Sequence, residues 1–374
     1  MDSSSSNELI FNPIYDLLAV DLQMPSYSKN KGILHVGNFL SGKGLTRQFI
    51  EELADRLELS GWFVYRTSDA VSRPLRLINM ALACWRQRFS YELAHIAVFS
   101  GPSFIWAEIT ALVVVAVGKP FVLSLHGGNL PAFSRRWPKR VKRLLSAASV
   151  VVVPSGYLFA HMRDYRRDLL LLPNPLDVSN YPFRQRNKVQ PKLVWLRSFH
   201  RIYNPLLAPR VLALLAPEFP DIHLTMVGPD KDGSLKKTQE LAAELNVSQH
   251  ITFVGGVPKD DVPTWLEQAD IFLNTTNIDN TPISILEAMG CGLPVVSTDV
   301  GGIRYLLNDQ HNAMLVSPNE PEAMAAAVRR LLTNPSLAGK LSRNGRETVQ
   351  QFDWSIILPQ WESLMTAAAE GGAA

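Results

Sequence analysis

Cysteine is scarce in this chain: its 374 residues hold two, Cys84 and Cys291. Two thiols so far apart exclude a disulfide framework, supply no paired-cysteine spacing for a metal, and fit a reducing compartment. Long apolar runs are missing as well. The longest, residues 109–117, lies between Glu108 and Gly118-Lys119-Pro120 and is too short to span a bilayer, so it reads as a helix buried between strands. The opening residues 1–8 are polar and acidic, the opposite of a secretory or organellar signal, and a cytoplasmic location is expected. Acidic side chains are absent between Glu108 and Asp164, although the net charge is only +3. Within that gap runs Arg135-Arg136-Trp137-Pro138-Lys139-Arg140-Val141-Lys142-Arg143-Leu144-Leu145, with Trp137, Val141 and Leu144 at helical spacing. Two readings of 135–145 stay open: a solvated surface helix, or peripheral docking on anionic lipid at the cytoplasmic membrane face or on an acidic acceptor. Nothing in the chain has the pattern of a nucleic-acid module, and no nucleic-acid partner is expected.

What is present is enough apolar residue, 47%, for two cores of ordinary domain size. Short apolar runs alternate with helical stretches, the pattern of parallel βα units and an α/β fold. Candidate strands begin at Ile33, Trp62, Ile96, Phe121, Val150 and Leu169. After the polar stretch 183–191, which reads as a linker, they restart at Leu193, Leu224, Ile251, Ile271 and Val295. The expected organisation is a tail over 1–30, a first Rossmann-like domain over 31–185, a second over 186–354, and a returning helix over 355–368. Thr366 onward is expected to be disordered. Several strands run straight into glycine or polar loops, and open parallel sheets bind ligands at that carboxyl edge.

The most informative stretch is Asp279-Asn280-Thr281-Pro282-Ile283-Ser284-Ile285-Leu286-Glu287-Ala288-Met289-Gly290-Cys291-Gly292-Leu293-Pro294. It predicts a loop, a helix with Thr281 as N-cap and Pro282 first inside it, and a stop at Gly292. The amides of Ile283 and Ser284 would head that helix, where its dipole favours an anion such as a diphosphate. Glu287 lies five residues beyond Pro282, roughly 7 Å along the axis, about the separation of a phosphate from its attached sugar ring. On a helical wheel Ile285, Leu286 and Met289 share one side and Glu287 projects from the other, with the small Gly290 beside it.

This string resembles the nucleotide-sugar site of glycosyltransferase family 4, the retaining glycosyl transferases group 1 of the GT-B fold. The matched positions are Asp279, Glu287, Ala288, Met289, Gly290, Cys291, Gly292, Leu293, Pro294, Val295 and Val296, followed by the Gly301-Gly302 turn. The resemblance implies two Rossmann-like domains facing across a cleft, a first one for the acceptor and a second for the nucleotide sugar. It implies that Glu287 binds ribose hydroxyls, that Asp279 holds the donor sugar, and that Arg197, just after a strand, meets the diphosphate. Gly228, Gly255, Gly256 and Val257 would line the nucleotide, Gly37 would open a phosphate-facing loop in the first domain, and His126 would sit near the reacting sugar. Two positions depart from the family. Asp279 stands where glutamate is usual, and Ile202 holds the place of a phosphate-binding lysine, so Arg201 is the substitute cation expected.

Asp230-Lys231-Asp232 copies a metal-binding Asp-x-Asp in outline, but it follows Gly228-Pro229 away from the expected diphosphate cradle and reads as a solvated turn. No metal and no cofactor are expected. The implied activity is hexosyl transfer from a nucleotide diphosphate sugar to a hydroxyl acceptor, a glycan, glycolipid or polysaccharide intermediate, with retention at the anomeric carbon. Alternatives are an epimerase or phosphorylase on the same fold, or a non-catalytic nucleotide-sugar-binding protein.

Overall fold

The computed structural model describes residues 32–43 and 47–371. The tail expected over 1–30 lies outside the described residues, as do residues 372–374. The chain divides into two compact units, one running to Asn174 and resuming at Ile357, the other spanning Pro175–Ile356.

In the first unit six strands form one sheet: β1 (Gly32–Asn38), β2 (Phe63–Ser68), β3 (Leu93–Val98), β4 (Phe121–Leu125), β5 (Val150–Val153) and β6 (Leu169–Leu171). All pair in parallel, in the order β2-β1-β3-β4-β5-β6. Parallel strands covered by helices are buried on both faces, which is why neighbours such as Ile33 and Leu34 are both fully buried and the strands read as unbroken apolar runs. The chain steps one way from β1 to β2 and the other way thereafter. Right-handed crossovers therefore place helix Phe49–Leu59 on one face of the sheet, and helices Arg73–Arg86, Phe104–Ala116 and Pro138–Ala147 on the other. Helix Trp354–Ala369 joins the first of these faces: Trp361 packs on Phe49 at 5.7 Å between ring centroids, and Trp62 Nε1 donates to Glu362 Oε1 at 3.1 Å. Over 366–369 the expected disorder is not found, because these residues lie inside this helix, where Met365 and Ala368 are buried.

The second unit repeats the design with β7 (Lys192–Leu196), β8 (His223–Val227), β9 (Ile251–Gly255), β10 (Ile271–Asn274), β11 (Val295–Thr298) and β12 (Met314–Val316), ordered β12-β11-β10-β7-β8-β9 and again parallel. The edge strand β12 is not foreseen in the sequence, since three residues are too few to display a period. Nor does 183–191 hang free as a linker. Arg186 is fully buried, donating to the carbonyls of Arg184, Cys291 and Ala269, with Asp270 within 3.6 Å. A guanidinium can be buried only when carbonyls and a carboxylate surround it, and here they tie the segment into the second unit.

Candidate active site

In the second sheet β7 is the first strand of the unit; β8 and β9 lie to one side of it, and β10, β11 and β12 to the other. The order reverses between β7 and β10, and the crevice beyond the carboxyl ends of such a strand pair is where doubly wound sheets bind ligands. Arg197 leaves β7 at that point, and the loop after β10 carries Asp279.

The two are paired: Arg197 Nη2 donates to Asp279 Oδ2, while Asp279 Oδ1 accepts the Asn280 amide at 2.8 Å. The guanidinium also lies over the Tyr203 ring, 4.6 Å from its centroid. Burial pushes the Arg197 pKa down, opposed by Tyr203 and by the Glu287 carboxylate. Its Nε is buried with no hydrogen-bond partner.

Helix Ile283–Gly290 opens beside this pair. Its start is one residue later than expected: Pro282 is the cap, in extended backbone, and no side chain caps the helix, so Thr281 does not serve as N-cap. The consequence favours an anion, because the leading amides of Ile283 and Ser284 have no intrahelical acceptor. Ser284 Oγ is likewise buried and unpartnered. Residues from Ser284 to Gly290 are all buried, so the side of the helix that carries Glu287 also faces protein.

Glu287 is therefore an interior carboxylate, 6% exposed. Burial raises its pKa, held back by the Tyr181 hydrogen bond and by the Lys259 and Arg197 cations. Tyr181 OH donates to Glu287 Oε1 at 2.8 Å. Gly290 makes this possible, since a β-carbon there would lie 2.9 Å from the Tyr181 Cβ. Sequence reading missed Tyr181; the one signal was the small residue beside Glu287, which left room for a ring.

Glycines hold the backbone of the site. A β-carbon at Gly301 or Gly302 would strike the carbonyl oxygens of Asp279 and Asn280, at 2.3 and 1.7 Å, and the Gly302 amide donates to Asp279 O at 2.8 Å. Gly228, at φ +152°, would collide with Arg197 O at 1.7 Å, so its missing side chain makes room for the Arg197 backbone. Gly255 accepts from the Gly228 amide, Gly256 packs on Pro229, and Val257 leans on the core. Arg201 is exposed, and its amide donates to Asp232 Oδ2. Asp232 also accepts from Ser234, and Asp230 accepts the Gly233 amide, so the Asp-x-Asp stretch caps the start of helix Ser234–Glu244. Among the described residues, no group of three or more His, Cys, Asp or Glu is placed to hold a metal ion.

Gly37 and His126 lie in the first unit. Gly37 does not open a loop; it sits within β1, where a β-carbon would meet Ile50 Cδ1 at 2.7 Å. His126 follows β4, and its amide donates to Val98 O. Its Nε2 is 3.0 Å from Ser124 Oγ, which is 2.7 Å from His95 Nε2; His95 Nδ1 is in turn 3.2 Å from His35 Nδ1. Three imidazoles and a hydroxyl thus form one chain, buried at His35, His95 and Ser124 and partly buried at His126, and desolvation keeps each ring neutral, with His126 lowered to about 4 and His35 to about 3.

The family model for glycosyl transferases group 1 matches residues 181–348, which contain every element of the switch-point site. Residues 181–348 thus match the group 1 glycosyltransferases, and the protein is a glycosyltransferase. It is 26% identical over 338 residues to the D-inositol 3-phosphate glycosyltransferase of Thermobispora bispora, covering 82% of this chain and 78% of that one. A putative teichuronic acid biosynthesis glycosyltransferase of Bacillus subtilis is 28% identical, over 74% of this chain and 71% of its own. The match to the Streptomyces coelicolor D-inositol 3-phosphate glycosyltransferase spans only 39% of that protein. Among solved structures, sucrose-phosphate synthase from Thermosynechococcus elongatus superposes with a TM-score of 0.72 at 18% identity, over 91% of this glycosyltransferase and 100% of that chain. HepE of Anabaena, solved with UDP and glucose, gives 0.68 at 16% identity, over 90% and 100%. At these identities the structural likeness bears on fold, and the fold of this glycosyltransferase is GT-B.

Proposed function

We propose that the enzyme moves a hexosyl group from a nucleoside diphosphate sugar to the hydroxyl of a glycan, glycolipid or polysaccharide intermediate, with retention at the anomeric carbon. One observation carries this reading: two buried donors without partners, Arg197 Nε and Ser284 Oγ, accompany the free leading amides of helix Ile283–Gly290 at the sheet's switch point. Buried donors left unsatisfied cost stability, and an anion with several oxygens satisfies them together. In this reading the diphosphate occupies the helix mouth. As the anomeric C–O bond breaks, its electron pair stays on the diphosphate, where Arg197 and the amides stabilise the new charge. The acceptor oxygen bonds to the same face of the carbon and its proton passes to the departing phosphate oxygen, so retention needs no protein nucleophile. Glu287, oriented by Tyr181, accepts hydrogen bonds from the ribose, Gly255, Gly256 and Val257 border the base, and Asp279 faces the sugar. His126, neutral and tethered through Ser124, serves the acceptor side with Gly37. Arg201, the expected substitute for the family lysine, is exposed just after β7.

Support for a nucleotide donor comes from HepE, solved with UDP-glucose, and for a phosphorylated or polysaccharide acceptor from the names of the inositol-phosphate and teichuronic acid relatives. The described helices include none long and apolar enough to cross a membrane. Helix Pro138–Ala147 buries Val141 and Leu144 inward, so within 135–145 the residues offered outward are Trp137, Pro138 and the cations.

A thermal-shift screen of UDP, GDP, ADP and their hexose conjugates tests the assignment. One nucleotide series is expected to raise the melting temperature, the gain being about 2.7 kcal/mol at a hundred times Kd. Glu287→Gln, which preserves shape, is expected to abolish most of that gain and the transferase activity. A chain that responds to no nucleotide, or a variant that responds like the wild type, refutes the reading.

A further inference from the structure

Helix Arg73–Arg86 in the first unit turns its apolar face the wrong way for a surface helix. Arg76, Met80 and Cys84 point inward, whereas Leu75, Ile78, Leu82 and Trp85, spaced three and four residues apart, are exposed and form one outer stripe that Phe89 extends. Ile78 and Trp85 are 54% and 52% exposed, and Phe89 is 85% exposed. The adjoining helix Phe104–Ala116 adds Leu112 and Val115 to the same side of the sheet. So large an apolar area on one helix layer marks an interaction surface.

Charge selects the occupant. No acidic residue occurs between Asp69 and Glu92, while Arg73 and Arg86 are exposed at the two ends of the stripe. Arg88 lies against both Trp85 and Phe89, 4.6 and 4.4 Å from the ring centroids. In the neighbouring layer Glu108 is occupied by Arg140, with Arg143 3.8 Å away, so its carboxylate leaves no net negative charge there. A second copy seated on this stripe would bring arginines against arginines with no carboxylate on the helix itself to answer them. An anionic bilayer supplies apolar depth for the stripe and phosphate for its flanks.

We propose that the outer face of helices Arg73–Arg86 and Phe104–Ala116 docks this protein on an anionic lipid surface, Leu75, Ile78, Leu82, Trp85 and Phe89 entering the headgroup boundary. Docking there is independent of the nucleotide site, and of the apolar residues that helix Pro138–Ala147 buries.

Flotation of the full chain with vesicles of equal parts phosphatidylglycerol and phosphatidylcholine, against phosphatidylcholine alone, tests this. The wild type is expected to float with the anionic vesicles and sediment with the neutral ones. The exposed double substitutions Ile78→Asp with Trp85→Asp, and Arg73→Glu with Arg86→Glu, are each expected to lower partitioning about tenfold or more. Circular dichroism and the nucleotide-induced thermal shift should stay at wild-type values in both. Wild-type protein that fails to float, floats equally on neutral vesicles, or floats undiminished in the variants overturns the proposal. So does a dimer, seen by light scattering, that the Ile78→Asp and Trp85→Asp pair dissociates, for then the stripe belongs to a second copy.

Discussion

Mild acidification is expected to destabilise the first unit from inside its sheet. His35 and His95 are fully buried, and with Ser124 and His126 they form a chain whose rings stay neutral in the fold. Desolvation is the main cause for all three; Arg66 opposes a charge on His35, and His35 and His126 oppose one on His95. In the unfolded chain each ring recovers its ordinary pKa of 6.5. Below that value the unfolded state binds protons that the folded state refuses, so stability is fully present above it and is lost as pH falls toward the folded values. Each histidine contributes a slope of about 1.4 kcal/mol per pH unit, three of them about 4 kcal/mol per unit, until His126 itself protonates near about 4. By about pH 5 the loss reaches roughly 6 kcal/mol, comparable with the whole stability of a domain. Glu287 in the second unit has the opposite sign. Its raised pKa means that burial of the charge costs stability at neutral pH, and the cost is relieved as pH falls through the folded value. Urea titrations from neutral pH down to about pH 5, with hydrogen-exchange protection followed separately in β3–β4 and in helix Ile283–Gly290, read the two units apart. Protection in β3–β4 should collapse first. Unchanged β4 protection, or a His35→Gln variant that keeps the full slope, would show that the rings are charged or solvated and refute the reasoning.

Two further perturbations address the second unit. Gly302→Ala puts a β-carbon 1.7 Å from Asn280 O at ordinary φ, so the strain is purely spatial; a loss of about 2 kcal/mol or more in urea unfolding, together with lost nucleotide-induced stabilisation, is expected. Wild-type stability there would mean that the 279–280 loop is free to retreat. Tyr181→Phe removes the hydrogen bond that restrains the Glu287 pKa, so the pH dependence of nucleotide binding should shift upward with the fold intact, and a profile superimposable on wild type would remove Tyr181 from the site.

Eleven of the twelve strands were legible in the sequence because parallel strands buried on both faces are written as apolar runs such as Val150–Val153. β12 was not, being short and at an edge. The helix bearing Glu287 was legible from Pro282 and Gly292, yet its cap was misplaced by one residue: proline's fixed φ suits the first helical turn, but here its ψ of 108° keeps it extended. The stretch 183–191 misled for a different reason. Its arginines look solvated in one dimension, and only the carbonyls of Ala269 and Cys291, distant in sequence, show why Arg186 is buried.

The glycines show how far a motif reaches. Gly228 was read as a place where backbone approaches a nucleotide, but its missing side chain is already taken up by Arg197 O, and those of Gly301 and Gly302 by the carbonyls of Asp279 and Asn280. Each is needed by the protein before any ligand arrives. These glycines bring β7, β8 and the loops after β10 and β11 into contact at the sheet's switch point, and that contact presents Arg197 and the helix mouth together. The ion pair of Arg197 with Asp279 then acquires a role of its own. The carboxylate supplies a counter-charge to the half-buried guanidinium, while the Arg197 Nε stays unsatisfied. Under the proposed function a diphosphate competes with Asp279 for the fork, so the shorter acid at this position sets how firmly Arg197 is held against it.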